Sequence, residues 1–198
     1  MTNNKTNSFV GLLGGSFNPA HKGHVQISEL ALDLLGLDEI WWIVSPKNPL
    51  KSSSELAPFS ERFFQSEKLV ESNPKIRVSD IEKKLGTVFT TKTISALTSK
   101  HKSSRFIWIM GADNLDELHR WKNWEKLFNQ VAVAVFDRPT YSFRSLKSPA
   151  AMKYSSSRVN IEYAQSLKSM PPPAWIFLWS SFDSSSSRLI RESTLEHK

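Results

Sequence analysis

Residues 11–32, GLLGGSFNPAHKGHVQISELAL, decide the fold. An apolar run ends in Gly14 and Gly15, a polar turn follows, and an amphipathic segment begins near Gly23. Strand, glycine-bearing turn and helix in that order make the opening unit of a parallel α/β sheet. Ligands of such sheets gather beyond the carboxyl ends of the strands, where the strand order reverses. The turn 14–23 follows the first strand and belongs in that space. Gly14 and Gly15 permit close approach of the backbone to a ligand, or a positive φ. A helix starting near Gly23 aims unpaired N–H groups and the positive end of its dipole at the same place. His21 and His24, three residues apart, can both lean into it. Two imidazoles around a helix terminus suit a phosphate chain. H-x-x-H also suits a metal pair, but no Glu or further His stands at zincin spacing. The plainest alternative has one histidine capping the helix and the other solvated. Neither G-x-G-x-x-G nor a Walker lysine is present, so ordinary dinucleotide or P-loop binding is not supported.

Working outward, apolar runs alternate with helix-period segments. Strands are expected at 8–13, 39–44, 75–80, 105–113, 131–139 and 174–179. Helices are expected at 24–36, closed by Gly36, at 58–72 with Ser60 as N-cap, and at 91–100 and 124–130. A last helix opens in SRLIRESTLEHK. The strands are continuous apolar runs, as expected when both faces of a parallel sheet are covered. The fold class is α/β: a Rossmann-like, doubly wound parallel sheet in a single domain spanning 1–198. Residues 1–7 are expected to be flexible. Residues 140–173 mix Ser, Lys and Pro and predict a long surface connection with one helix around 158–167. The chain shows no internal repeat.

With 198 residues, 39% hydrophobic and 23% charged, the chain can bury a core without staples. It has no cysteine, which excludes disulfides, thiolate zinc sites and a Cys nucleophile. The polar start MTNNKTNSFV is unlike a signal peptide, and no apolar run is long enough for a membrane helix. A cytoplasmic protein with no membrane partner is expected. The formal charge of +7 favours anionic partners, but the basic residues are scattered. Nucleic acid is therefore not expected as a partner. No pattern specifies an oligomeric state.

GGSFNPAHKGH (14–24) resembles the signature of the HxGH nucleotidyltransferases, and within them the nicotinate-nucleotide adenylyltransferase branch. The likeness continues through WWIVSPKNPLKS (41–52), IEKKLGTVFTTKTI (81–94), WIMGADNLDELHRWKNWEKL (108–127) and FDRP (136–139). These five matches, in order, cover most of residues 8–139.

The resemblance implies adenylyl transfer from ATP to nicotinate mononucleotide, with pyrophosphate released. It implies that His24 contacts the α-phosphate and His21 the phosphate chain, beside Gly14, Gly15, Ser16 and Phe17. Gly111 and Asp113 would serve ATP, the carboxylate reaching a ribose hydroxyl. Asn18, Lys47, Lys51, Thr90, Trp121 and Arg138 would serve the mononucleotide. Trp121 would stack on the pyridine and Arg138 would hold a phosphate. Trp121 and Trp124 are expected on one helix face, with Trp124 in the core. Thr90 can also cap the helix that follows it. Mg²⁺ would be bound through substrate phosphates, with no protein cage of its own.

The superfamily's C-terminal Ser-Ser-(Thr/Ser)-x-(Ile/Leu/Val)-(Arg/Lys) pattern meets FDSSSSRLIRE at 182–192. Ending it on Arg191 keeps Ser186, Ser187 and a cation for the triphosphate, but places Arg188 where a hydroxyl is expected. Ending it on Ile190 keeps three serines and loses the cation. The first register is preferred, because a charge on the triphosphate outweighs one hydroxyl. Rival readings are another HxGH enzyme, such as the pantetheine-phosphate adenylyltransferase, or an inactive basic relative that binds nucleic acid.

Overall fold

The computed structural model describes residues 8–47 and 56–179. Seven strands form one sheet in the order β3-β2-β1-β4-β5-β7-β6, all pairs parallel. They are β1 (Ser8–Gly15), β2 (Glu39–Val44), β3 (Ile76–Ser79), β4 (Ser104–Gly111), β5 (Ala132–Phe136), β6 (Arg158–Val159) and β7 (Trp175–Leu178). The order reverses between β1 and β4. That is the switch point at which a doubly wound sheet binds ligands.

Alternation within the apolar runs explains why both faces are covered. In β2, Trp41 and Ile43 face one core, while Ile40, Trp42 and Val44 face the other. In β4, Phe106, Trp108 and Met110 join the first core, and Ile107 and Ile109 the second. The first core is closed by α4 (Thr90–Lys100) through Ile94 and Leu97, and by α6 (Trp124–Gln130) through Leu127 and Phe128. The second is closed by α1 (Lys22–Leu35) through Ala31, Leu32 and Leu35, and by α2 (Phe59–Val70) through Val70. Gly36 ends α1 at φ 60°, the left-handed geometry that favours glycine at this position.

The structure departs from the sequence reading in four places. First, α2 is capped by Pro58 rather than Ser60, and starts at Phe59. Second, the strand expected at 105–113 ends at Gly111, and the chain enters α5 (Ala112–Glu117) directly. Third, Trp121 lies before α6, so it shares no helix face with Trp124. Fourth, residues 140–173 are not a plain surface connection. They hold α7 (Ser142–Leu146), α8 (Pro149–Lys153), the edge strand β6 and a 3₁₀ segment, Ile161–Ser169. Ala150, Ala151 and Tyr154 enter one core and Ala164 and Leu167 the other, so this segment covers both faces of the sheet's far edge. A short four-residue helix, α3 (Ile81–Lys84), follows β3. Residues 1–7 and the expected last helix lie outside the described residues.

Candidate active site

The sheet register aligns the strand exits. Leu13 pairs with Ile109, Gly15 with Val44, and Gly111 with Phe136. The ends of β1, β2, β4 and β5 therefore reach one level, and the turns leaving them share one rim. The connecting helices α4 and α6 begin on the same carboxyl side, as crossovers between parallel strands must.

The turn after β1 rests on an aromatic floor. Phe17 is 2% exposed and holds φ 47°, a region that non-glycine residues rarely occupy. Its ring stacks on Trp42 at 4.9 Å and meets the His24 ring at 4.8 Å. Trp42 is itself anchored, because its Nε1–H donates to Ser28 Oγ at 2.8 Å. The Ser28 hydroxyl in turn donates to the His24 carbonyl at 2.8 Å. Floor and histidine are thus tied into one unit.

His21 is the N-cap of α1, in extended geometry, and His24 lies one turn in. Their ring centroids are 3.9 Å apart. The His21 backbone N–H donates to His24 Nδ1 at 3.2 Å. A neutral His24 that accepts at Nδ1 carries its proton on Nε2, which is left as a donor. Burial lowers the His24 pKa well below the ordinary 6.5, helped by His21 and Arg138. Burial also lowers His21, to about 4, with the Arg138 charge adding to the effect. Both rings are therefore neutral at physiological pH. They are hydrogen-bonding groups, and the fixed positive charge lies elsewhere.

Arg138, in the turn after β5, supplies that charge. Its Nη1 donates to Asp113 Oδ2 at 2.5 Å, across the ends of β4 and β5. Asp137 braces this turn by accepting from the Arg138 N–H at 2.7 Å and from the Ser142 hydroxyl. Two buried polar atoms at this rim have no hydrogen-bond partner among the described residues: His21 Nδ1 and Asp113 Oδ1. Buried polar groups are normally paired, so these two atoms stand out at the rim.

The glycines act differently from expectation. Gly14 and Gly15 belong to β1, and the positive φ in the turn falls on Phe17. A Cβ on Gly14 would lie 2.2 Å from the Trp108 indole. Gly14 is bare because Trp108 occupies the space, not because a ligand does. Gly15 has room for a Cβ, which would meet the Phe17 ring at 3.4 Å. A Cβ on Gly111 would come within 2.5 Å of Asp113 Oδ1, so this glycine lets the carboxylate fold back beside β4.

Of the remaining expected residues, Thr90 is the first residue of α4, whose N-cap is Phe89. Trp121 is half-buried against the core, as is Trp124. Asn18 is buried, and its Oδ1 accepts the Ala57 N–H at 3.0 Å, so its side chain ties the turn to the segment before α2. Lys47 is exposed just past β2. Lys51, Ser186, Ser187, Arg188 and Arg191 lie outside the described residues.

Three residues escaped the sequence reading. Arg62 and Glu82 are buried under the exit of β2, and Asp137 braces the turn after β5. Glu82 accepts from Thr93 Oγ1 at 3.1 Å and from Ser45, and burial raises its pKa. Only the acidic position in the 81–94 segment hinted at Glu82. Nothing in the sequence distinguished Arg62 from a solvated helix arginine.

The chain matches the cytidylyltransferase-like family over residues 12–191. It is 44% identical over 182 residues to a probable nicotinate-nucleotide adenylyltransferase of Rhizobium meliloti (strain 1021), covering 92% of this chain and 96% of that protein. It is 45% identical over 183 residues to one of the same name from Parvibaculum lavamentivorans, covering 92% and 90%. The nicotinic acid mononucleotide adenylyltransferase of Plasmodium falciparum, complexed with NaAD, superposes with a TM-score of 0.69 at 19% identity. That match covers 93% of this chain and 83% of the Plasmodium chain, and it shows the shared fold. With these identities over nearly its whole length, the chain belongs to the nicotinate-nucleotide adenylyltransferases, a branch of the cytidylyltransferase-like nucleotidyltransferases.

Proposed function

We propose that the protein transfers the adenylyl group of ATP to nicotinate mononucleotide, a step of NAD biosynthesis. A phosphate oxygen of the mononucleotide attacks the α-phosphorus of ATP. A new P–O bond forms as the bond from that phosphorus to the bridging β-phosphate oxygen breaks. Nicotinate adenine dinucleotide and pyrophosphate result. The nucleophile arrives with the substrate, so no side chain forms a covalent intermediate. The protein aligns two anions and stabilises charge on the transferring group.

The observation that carries this reading is the pair of neutral, half-buried imidazoles at the start of α1, with ring centroids 3.9 Å apart. Such rings donate hydrogen bonds to phosphate oxygens without moving a proton. His24, through Nε2–H, is assigned to the α-phosphate and His21 to the phosphate chain, over the turn Gly14–Phe17 and the start of α1. Arg138 is assigned to the mononucleotide phosphate and Asp113 to an ATP ribose hydroxyl, which requires their mutual ion pair to yield. Gly111 leaves room for that carboxylate. Thr90 and Trp121 are assigned to the pyridine, and Asn18, Lys47 and Lys51 to the mononucleotide. Ser186, Ser187 and Arg191 are assigned to the outer phosphates.

Among the described residues no group of three or more His, Asp or Glu could hold a metal ion. The rim offers imidazoles and a guanidinium, which suit anionic oxygen, beside the Asp113 carboxylate, which pairs with the guanidinium. Mg²⁺ is assigned to the ATP substrate, where it would offset triphosphate charge. No described helix is long and apolar enough to cross a membrane, and the reading places the enzyme in the cytoplasm.

Pyrophosphate release with ATP and, in parallel, nicotinate mononucleotide, nicotinamide mononucleotide or phosphopantetheine tests the assignment. Turnover is expected to be fastest with the first. Comparable turnover of the amide would remove the acid preference, and preference for phosphopantetheine would overturn the reading.

A further inference from the structure

Arg62 presents an unusual arrangement. It sits in α2, on an otherwise ordinary amphipathic helix, yet it is 1% exposed. Among the described residues it has no carboxylate partner. Its guanidinium bonds four backbone carbonyls instead. Nε donates to Ala57 O at 2.9 Å, Nη1 to Ser16 O and to Ser45 O, the latter at 2.9 Å, and Nη2 to Pro46 O at 3.3 Å. Four of its five N–H donors are thereby used, and a buried cation is otherwise costly.

The positions of those carbonyls give the arrangement its meaning. The last ladder bond between β1 and β2 runs from Ser45 N–H to Gly15 O, at 2.9 Å. One residue further, where the sheet has ended and the two chains diverge, the guanidinium takes over as the link. It joins Ser16, in the turn that leads to His21 and His24, to Ser45 and Pro46, beside Lys47. Asn18 adds a parallel tie, because its Oδ1 accepts the Ala57 N–H. The Phe59 ring, 5.6 Å from the guanidinium carbon, closes the cation off on another side.

We infer that Arg62 is a positioning residue: by bracketing Ser16, Ser45 and Pro46 it sets the spacing between the turn that holds ATP and the loop that presents the acceptor nucleotide. This rests on the function proposed above. It assigns to a residue distant from the chemistry the alignment of the two reactants. The fork geometry is essential, since a lysine ammonium offers three donors from a single point and cannot span both chains.

The test compares Arg62→Lys and Arg62→Met with the wild type, measuring thermal midpoint, kcat, and KM for ATP and for nicotinate mononucleotide. Arg62→Lys is expected to stay folded and to lose about 10- to 100-fold in kcat, the scale set by small misplacements of reactants. Each KM is expected to move less than about threefold, because each half-site stays intact and only their relation changes. A residue with a purely structural role would lower the midpoint and leave kcat of the folded fraction unchanged, and that outcome overturns the inference. So does a loss confined to KM, or failure of both variants to fold at the assay temperature, which would make Arg62 a folding staple. Wild-type protein that releases no pyrophosphate from this substrate pair would remove the proposed function and this inference with it. Wild-type turnover with an equally fast Arg62→Lys removes the inference alone.

Discussion

The turn after β1 carries its two histidines on a buried aromatic floor, whereas the turn after β5 carries a guanidinium that is 36% exposed and paired with a carboxylate. In the first, Phe17, Trp42 and Ser28 fix His24 by packing and hydrogen bonds, and the dry setting keeps both imidazoles neutral. In the second, Arg138 stands half-exposed and pairs with Asp113. One turn is fixed by packing and the other bears the charge. Buried groups hold position well and ionise poorly, while half-exposed ones do the reverse.

Removing a ring from the buried turn tests this division most severely. His24→Ala should lower kcat by about 10²- to 10³-fold, the loss typical of one preorganised donor to a developing anion. The far-ultraviolet circular dichroism and the thermal midpoint should stay close to wild type. A loss accounted for wholly by unfolding would mean that the histidine serves packing, and the contrast between the turns would fail on its catalytic side.

Gly14→Ala tests the packing side. Its Cβ would lie 2.2 Å from the rigid Trp108 indole, itself 2% exposed. Overpacking at such a site costs about 1–3 kcal/mol, readable as a lower urea midpoint. Gly15→Ala, where a Cβ meets only ordinary contact with Phe17, should be nearly neutral for stability. Equal effects at the two glycines would show that Trp108 gives way.

These two glycines also mark what the sequence could convey. A glycine pair after an apolar run announces a turn, but it does not say which glycine faces a ligand and which faces an indole from a strand nearly a hundred residues away. The strands themselves were legible, because β1, β2, β4, β5 and β7 are continuous apolar runs that only a doubly covered sheet tolerates. The histidine pair was legible through its spacing. β6 was not, since a two-residue strand has no period to detect and exists only by pairing with β7. α5 was hidden in six residues led by Gly111, too short to show an apolar face. Arg62 was hidden because an arginine in a helix normally lies in water, and it is buried here only because four carbonyls from three separate segments converge on it.

Acid pH probes the neutral state of the buried turn. Burial, with Arg138 adding, holds His21 at about 4 in the folded protein, against an ordinary 6.5 that the unfolded chain regains. Between those values the unfolded chain binds the extra proton, so stability falls as pH drops from 6.5 toward 4. Above 6.5 the ring is neutral in both states and contributes no slope. The effect is a fraction of the about 1.4 kcal/mol per pH unit that one proton gives, because His21 is partly open to solvent. Urea midpoints measured from about pH 7.5 down to about 4.5, across most of that window, should fall more steeply for wild type than for His21→Asn. Parallel curves would mean that the imidazole charges freely in the folded state.

The ion pair of the second turn should matter least to stability. Asp113→Asn removes the carboxylate that Arg138 holds at 2.5 Å, but both side chains are partly exposed, at 36% and 27%. Pairs of this kind contribute about 0.2–1 kcal/mol, and the remaining cation can turn to water. The urea midpoint should shift within that range, and the shift should shrink further in high salt, which screens the pair but not the aromatic floor. Activity should respond differently, through a higher KM for ATP if the carboxylate serves the ribose. A stability loss as large as that of Gly14→Ala would mean that the second turn is held by its ion pair as firmly as the first is held by packing, and the two turns would no longer differ in kind.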